Sequence, residues 1–261
     1  MGVPDSYTKS LLHMDGADAS TTFTDESGKT WTIGNGTPEI DTAQSVFGGA
    51  SCYFNGSNNE RIVSADHADW WLDDGNNANK WTVDFRVRFD GDPGTGSIGF
   101  IQQYVDTSNY WAIRLSSNLL IFTVRSDGTN IVNITQAWNP ADATWYHVAT
   151  VKDGTNGYMH FVDGVQLGST TTDTSPIPDF ADELKMALYI DSTNTYNYFT
   201  GWIDEFRISK GVARWISNFK LPKHAYDQFP KIKTINGIHM TDIKTINGTS
   251  VDSLGTLQGL T

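Results

Sequence analysis

The chain has 261 residues, enough for one large all-β domain or two ordinary ones. Hydrophobic residues at 38% and aromatics at 12% are too many for a disordered chain, and no apolar run is long enough to span a bilayer as a helix. Thirty acidic residues against 18 basic give a net charge of −12, the wrong sign for phosphate-based nucleic-acid binding, and a single cysteine excludes a disulfide framework or a Cys-rich zinc site.

The N-terminus, Met1-Gly2-Val3-Pro4-Asp5, shows no basic region followed by an apolar one, so no cleaved secretory signal is expected. Without that signal, the Asn-x-Ser/Thr sites at Asn35, Asn55, Asn133 and Asn247 read as turn residues. Cys52, in Cys52-Tyr53-Phe54, reads as a small buried hydrophobe. Ala65 to Leu72 is the best helical candidate and is good for one or two turns. Trp81 to Asp90 alternates strictly, apolar at every odd position and polar at every even one, the mark of a half-buried strand. Tyr110–Leu115 and Leu119–Val124 flank Ser116-Ser117-Asn118 as a hairpin, and Asp163-Gly164 marks another after Tyr158–Val162. Trp145–Lys152, Leu184–Ile190 and Phe199–Ser209 supply further strands. Many short antiparallel strands with 24 glycines for their turns point to two stacked sheets, a sandwich or jelly roll.

The end of the chain differs. Residues 231–261 contain no aromatic residue, and Ile232-Lys233-Thr234-Ile235-Asn236-Gly237 recurs as Ile243-Lys244-Thr245-Ile246-Asn247-Gly248. Asn-Gly closing each copy reads as strand then turn. Two such units cannot bury a core alone, so a docking or oligomerising element is expected. Three lysines against two aspartates leave this tail at +1, so the acidity belongs to the rest.

Asp204 is the most informative single residue. Strict alternation through Trp202-Ile203-Asp204-Glu205-Phe206-Arg207-Ile208 places it on an apolar face with Trp202, Phe206 and Ile208. A carboxylate there needs a cation or several donors: an arginine, backbone N–H groups, or calcium, which takes carboxylate and carbonyl oxygens. Asp15, beside Gly16, is a candidate second calcium ligand. Glu39-Ile40-Asp41-Thr42-Ala43-Gln44 approaches the paired-carboxylate strand of sandwich glucanases, but Gln44 stands where a second Glu is needed and cannot donate a proton to a leaving group. His147 reads as a packed, hydrogen-bonded histidine, and no nucleophile motif or phosphate-binding glycine loop accompanies it. Trp70, Trp71, Trp138, Tyr196 and Tyr198 sit in polar, loop-like context and are candidate sugar-stacking residues.

Seven motifs occur in order: Leu11-Leu12-His13-Met14-Asp15-Gly16, Phe23-Thr24-Asp25-Glu26-Ser27-Gly28, Phe47-Gly48-Gly49-Ala50, Tyr53-Phe54-Asn55-Gly56, Trp145-Tyr146-His147-Val148-Ala149, Phe161-Val162-Asp163-Gly164 and Gly201 through Ser209. Over residues 9–222 they resemble the laminin-G-like, concanavalin A-like jelly-roll domains of tailed-bacteriophage virion proteins. The trailing repeats also resemble C-terminal segments of phage structural proteins. The resemblance implies an all-β, two-sheet antiparallel jelly roll without catalytic activity that binds glycans or cell surfaces, and it implies calcium near Asp15 and Asp204. Asn55 stands where many members have Asp, so the resemblance assigns it no ligand role. The expected organisation is an N-terminal arm over 1–8, the jelly roll over 9–222 and an anchoring or oligomerising tail over 223–261. The expected protein sits on a virion assembled in the bacterial cytoplasm. Its expected partners are other virion proteins through residues 231–261, sister copies in a homo-oligomer, and glycans, with neither nucleic acid nor membrane insertion. The alternative is a structural decoration protein of capsid or tail with no specific glycan.

Overall fold

The computed structural model describes residues 4–57, 59–93 and 96–226, and the backbone of four two-residue strands nearer the C-terminus. In chain order the strands of the first part are β1 (Thr8–Leu12), β2 (Phe23–Thr24), β3 (Thr30–Asn35), β4 (Glu39–Asp41), β5 (Ser51–Asn55) and β6 (Arg61–Ser64). Then come β7 (Lys80–Phe89), β8 (Ser97–Asp106), β9 (Asn109–Ser116), β10 (Leu119–Ser126), β11 (Thr129–Ala137) and β12 (Trp145–Asp153). The last six are β13 (Tyr158–Val162), β14 (Val165–Thr171), β15 (Leu184–Met186), β16 (Leu188–Ile190), β17 (Tyr196–Tyr198) and β18 (Thr200–Lys210). Two antiparallel sheets form a jelly-roll sandwich. Sheet I runs β14-β13-β12-β7-β18-β5-β4, with β1 also paired to β18. Sheet II runs β11-β10-β9-β8-β15-β6-β3-β2. Among the described residues helix is confined to short turns such as Ala68–Trp70, and none is long and apolar enough to cross a membrane.

Local chemistry explains the elements. The odd residues Trp81, Val83, Phe85, Val87 and Phe89 of β7 all enter the inter-sheet core, where they meet Trp111, Ile113 and Leu115 of β9 and Phe122 of β10. Ser117 and Asn118 join β9 to β10 at φ 51° and 60°, and Asp163 and Gly164 join β13 to β14 at 50° and 75°. Positive φ at both central residues gives the turn a twist that matches the strands it connects. Cys52 is buried in the core.

Alternation fails in β18. Ile203, Phe206 and Ile208 all lie in the inter-sheet core, and the register to β7 slips between Asp204 and Arg207. Positions 203 and 206 can share a face only because an extra residue is accommodated, with Glu205 at φ 50°. The expected common face of Trp202, Asp204, Phe206 and Ile208 is therefore split, and only Phe206 and Ile208 enter the core.

The chain divides into two units, Met1–Asp227 and Gln228–Thr261. Residues before and after the expected 9–222 span also belong to the first unit. Asp5 binds Arg214 at 3.0 Å, while Ala225 and Tyr226 are buried. In the second unit β19 (Thr234–Ile235) pairs with β20 (Ile238–His239), and β21 (Thr245–Ile246) pairs with β22 (Thr249–Ser250). The two hairpins thus repeat the sequence period. The Asn-Gly pairs and lysines of the repeat lie outside the described residues.

Candidate functional site

The two sheets present very different outer faces. On sheet I, residues 211–226 run back across β7, β12 and β18. Gly211 N–H donates to the Lys80 carbonyl, Arg214 N–H to Thr82 Oγ1, and Phe219 N–H to the Gly164 carbonyl. Trp215 and Phe219 stack at 4.1 Å and cover Ala149, Val151, Met159 and Phe161. Beneath them Asp84 is fully buried, with Arg207 bound bidentately at 3.0 and 3.2 Å, the Tyr226 hydroxyl at 2.5 Å and His147 Nε2 at 3.4 Å. Burial pushes the Asp84 carboxyl up, but the Arg207 charge and the His147 and Tyr226 hydrogen bonds outweigh it and hold it well below the usual carboxylate range. His147 is packed and hydrogen-bonded, as its sequence context suggests.

Sheet II is covered differently. Ala187, at φ 69°, turns the chain out of β15 so that β16 and β17 form a hairpin lying over β8. Gly99 permits this approach: a Cβ there would sit 2.1 Å from the Leu188 carbonyl carbon. Gln102 pins the hairpin by accepting from Ile190 N–H at 2.7 Å and donating to its carbonyl at 2.8 Å. Four tyrosines gather along this margin. Tyr104 and Tyr110 stack at 5.9 Å, Tyr110 meets Tyr189 edge-on at 6.0 Å, and the Tyr110 and Tyr189 hydroxyls are 3.3 Å apart. Tyr110, Ala112 and Tyr189 form a hydrophobic cluster separate from the inter-sheet core. The Tyr104 hydroxyl pKa is raised by burial and by nearby Tyr196, Asp106 and Asp191. Tyr196 on β17 is 38% exposed. Arg114, two residues beyond Ala112 on the same face, lies 4.9 Å from the Tyr189 ring centre. The result is a half-open aromatic shelf with two accessible rings, Tyr104 and Tyr196, backed by two buried ones.

The sequence-derived stacking residues divide accordingly. Tyr196 and Tyr198 lie on β17 of the hairpin, with Tyr196 beside Tyr104. Trp70 is fully buried in the core, and Trp138 is 8% exposed and packed against Phe89 and Phe100. Both are corrected from sugar platforms to core residues; the polar loops around them do not stop their rings turning inward. Trp71 is half-buried, its Nε1 donating to the Ile177 carbonyl at 2.6 Å, so it anchors a loop away from the tyrosine shelf. Tyr104, Tyr110 and Tyr189 escape sequence reasoning because each looks like an ordinary strand residue. Only an outward apolar position opposite core-facing Trp111 hints at Tyr110.

Asp15 and Asp204, 189 positions apart, are brought into one electrostatic neighbourhood. Asp204 Oδ2 accepts from Val46 N–H at 2.8 Å and Phe47 N–H at 3.3 Å. Oδ1 of Asp204 and Oδ1 of Asp15 are both buried without a hydrogen-bond partner. Burial pushes Asp204 up to about 7, with the Glu205 and Asp15 charges adding to it and the two N–H bonds opposing it. Gly48 makes room: a Cβ there would fall 1.6 Å from Asp15 Oδ1. Beside this pair His13 Nδ1 meets Glu205 Oε1 at 2.7 Å, and Glu205 Oε2 accepts from Tyr226 N–H. No cluster of three or more His, Cys, Asp or Glu side chains among the described residues makes a metal cage, so an ion here would need backbone carbonyls as well. In the glucanase-like segment both Asp41 oxygens are engaged, by Trp202 Nε1 and by Ala43 N–H, each at 2.7 Å.

Residues 64–214, more than half of the chain, match the laminin-G-type family model described as the concanavalin A-like lectin/glucanases superfamily. The chain belongs to this superfamily. No curated protein matches it significantly. Among solved structures, the binding domain of botulinum neurotoxin DC in complex with rat synaptotagmin II aligns with this concanavalin A-like domain at a TM-score of 0.57 and 14% identity. That match covers 83% of this chain and 49% of the other. A botulinum neurotoxin type C structure, described with cell entry dependent upon interaction with two ganglioside molecules, aligns at 0.56 and 14%, over 78% of this chain and 47% of the other. Domain 4 of AbnA, a GH43 extracellular arabinanase from Geobacillus stearothermophilus in complex with arabinotriose, aligns at 0.56 and 16%, over 79% of this chain and 93% of that domain. The chain spans about half the length of the neurotoxin structures it matches. At these identities the likeness shows the fold alone.

Proposed function

We propose that this chain is a non-enzymatic, glycan-binding virion protein of a tailed phage, and that sugars are held on the outer face of sheet II. The observation that carries the glycan reading is the tyrosine shelf. There Tyr104 and the 38% exposed Tyr196 present ring faces over the buried pair Tyr110 and Tyr189. Sugar rings present C–H faces that stack on such surfaces, while Asn194, whose Oδ1 lies 3.4 Å from the Tyr104 hydroxyl, and neighbouring Thr195 offer partners for sugar hydroxyls. The likeness to domains described with arabinotriose and with gangliosides supports the same reading. A glycan array probed with the full-length protein tests it: binding abolished by Tyr104→Ala with Tyr196→Ala supports it. A uniformly blank array returns the protein to a structural decoration role.

The virion setting rests on the ordered motif set and the repeated tail. In this reading residues 231–261 attach the sandwich to the particle or to sister subunits. If protein lacking those residues still joins particles, the tail is not the anchor.

The Asp15–Asp204 neighbourhood fits structural calcium. Two orphaned carboxylate oxygens suit a hard cation, and charge neutralisation is the chemistry it would supply. Asp15 and Asp204 would hold it through Oδ1.

A further inference from the structure

We propose that the glycan taken up by the tyrosine shelf carries a carboxylate, recognised by Arg114. This rests on the proposed glycan reading of that face. Thirty acidic residues outnumber 18 basic ones, so an arginine in this protein has a surplus of carboxylates available. Arg114 nevertheless forms no ion pair among the described residues, and its Nε is buried without a hydrogen-bond partner. Its position explains the isolation. In register it faces Gly99 on β8 and Ile121 on β10, and its neighbours two residues away on the same side are Ala112 and Ser116. None of these carries a charge. Arg125, by contrast, is engaged with the Thr107 carbonyl and Asn130 Oδ1.

A guanidinium held against an aromatic ring beside a stacking surface can receive a planar anion. Carboxylate oxygens match its fork geometry, and the bond to a charged partner is worth more than a neutral one. Nε of Arg61 and of Arg88 is unpaired in the same way, and Arg88 also lies over a ring, Trp202 at 5.5 Å; what sets Arg114 apart is its place at the end of the tyrosine shelf, where its half-buried guanidinium can meet a ligand. Arg114 lies four residues along β9 from Tyr110, roughly 14 Å at ordinary strand rise. The shelf therefore holds stacking rings at one end and a cation at the other, with Tyr189 between them. That suits an oligosaccharide with an acidic residue, such as a uronic or sialic acid. The protein's distant negative charges do not forbid an anion, because they are screened beyond about 8 Å at physiological ionic strength. The acidic groups that bear on the shelf, Asp106 and Asp191, act at the Tyr104 end.

The test uses an array of matched neutral and acidic oligosaccharides, including lactose with sialyllactose and oligogalacturonate with its carboxyl-reduced form. Acidic members should bind and their neutral counterparts should bind more weakly. Calorimetry on the best acidic glycan should show Arg114→Gln weakened about ten-fold or more, with Arg114→Lys only partly restored because it lacks the fork. The carboxyl-reduced glycan should bind wild type and Arg114→Gln alike, a comparison that holds even if the variant melts lower. Binding confined to neutral glycans, or equal acidic-glycan affinity in wild type and Arg114→Gln, overturns this inference and leaves the glycan reading standing. A blank array overturns both.

Discussion

The outer faces of the two sheets are built from the same alternating strands, yet one is closed and the other half-open. On sheet I the outward residues Asp84, Arg207 and His147 are as buried as the core, because residues 211–226 lie over them. Charges trapped there satisfy one another. On sheet II the hairpin β16–β17 covers only part of the face, leaving Tyr104 and Tyr196 accessible and Arg114 without an anionic partner among the described residues. A covered face must balance its own charges, whereas an open one can leave a donor for a ligand. The contrast separates residues that hold the fold from residues available to bind.

The largest expected effect breaks the closed face. Asp84→Ala strands Arg207 in a buried site and should cost about 3–5 kcal/mol in urea unfolding, without altering glycan affinity of the folded fraction. A loss below about 1 kcal/mol would mean that face is not closed in solution. Acid should next strike between the faces, at His160. It is fully buried, with Thr150 Oγ1 at 3.0 Å and the Ile134 carbonyl at 3.3 Å, and burial lowers its pKa to about 4 from an ordinary 6.5. The unfolded chain therefore binds the proton more readily. Stability present above pH 6.5 should fall by roughly 3 kcal/mol as pH drops towards 4, because one proton taken up on unfolding costs the folded state about 1.4 kcal/mol for every pH unit. His160→Gln should flatten that slope, and an unchanged slope would remove His160 as its source.

Calcium, if bound at a hundred times its dissociation constant, should add about 2.7 kcal/mol to stability. Asp204→Asn should abolish the response of melting temperature to EDTA, and a retained response would exclude Asp204 as a ligand. Gly99→Ala should force the hairpin off β8, costing about 1–3 kcal/mol and weakening glycan binding together. Tyr104→Ala and Tyr196→Ala sharpen the contrast most gently. Each should change stability by less than about 1 kcal/mol while lowering affinity, since exposed substitutions remove little packing.

Much of the sandwich is legible in the sequence because period-two patterns and positive-φ turns are local. Trp81 to Asp90 and Asp163-Gly164 need no distant information. What is not legible depends on contacts made elsewhere in the chain. Nothing in β7 announces that Asp84 will be covered by residues more than a hundred positions later, and nothing in β18 marks the extra residue that separates Asp204 from Phe206. Trp70 and Trp138 mislead because polar neighbours in sequence do not set the direction of a ring. The tyrosine shelf joins Tyr110 to Tyr189, 79 positions apart, so no window along the chain displays it. Asp204 is legible as a carboxylate needing partners, because burial of a charge within an apolar stretch is costly wherever the chain goes.

Amide NMR titration with the strongest glycan from the array shows which outer face takes the sugar. Shifts should cluster on β8, β9 and the β16–β17 hairpin, including Tyr104, Ala112, Arg114, Tyr189 and Tyr196, with residues 211–226 unchanged. Shifts confined to the Asp15–Asp204 neighbourhood or to the closed face of sheet I would contradict a sugar site on sheet II.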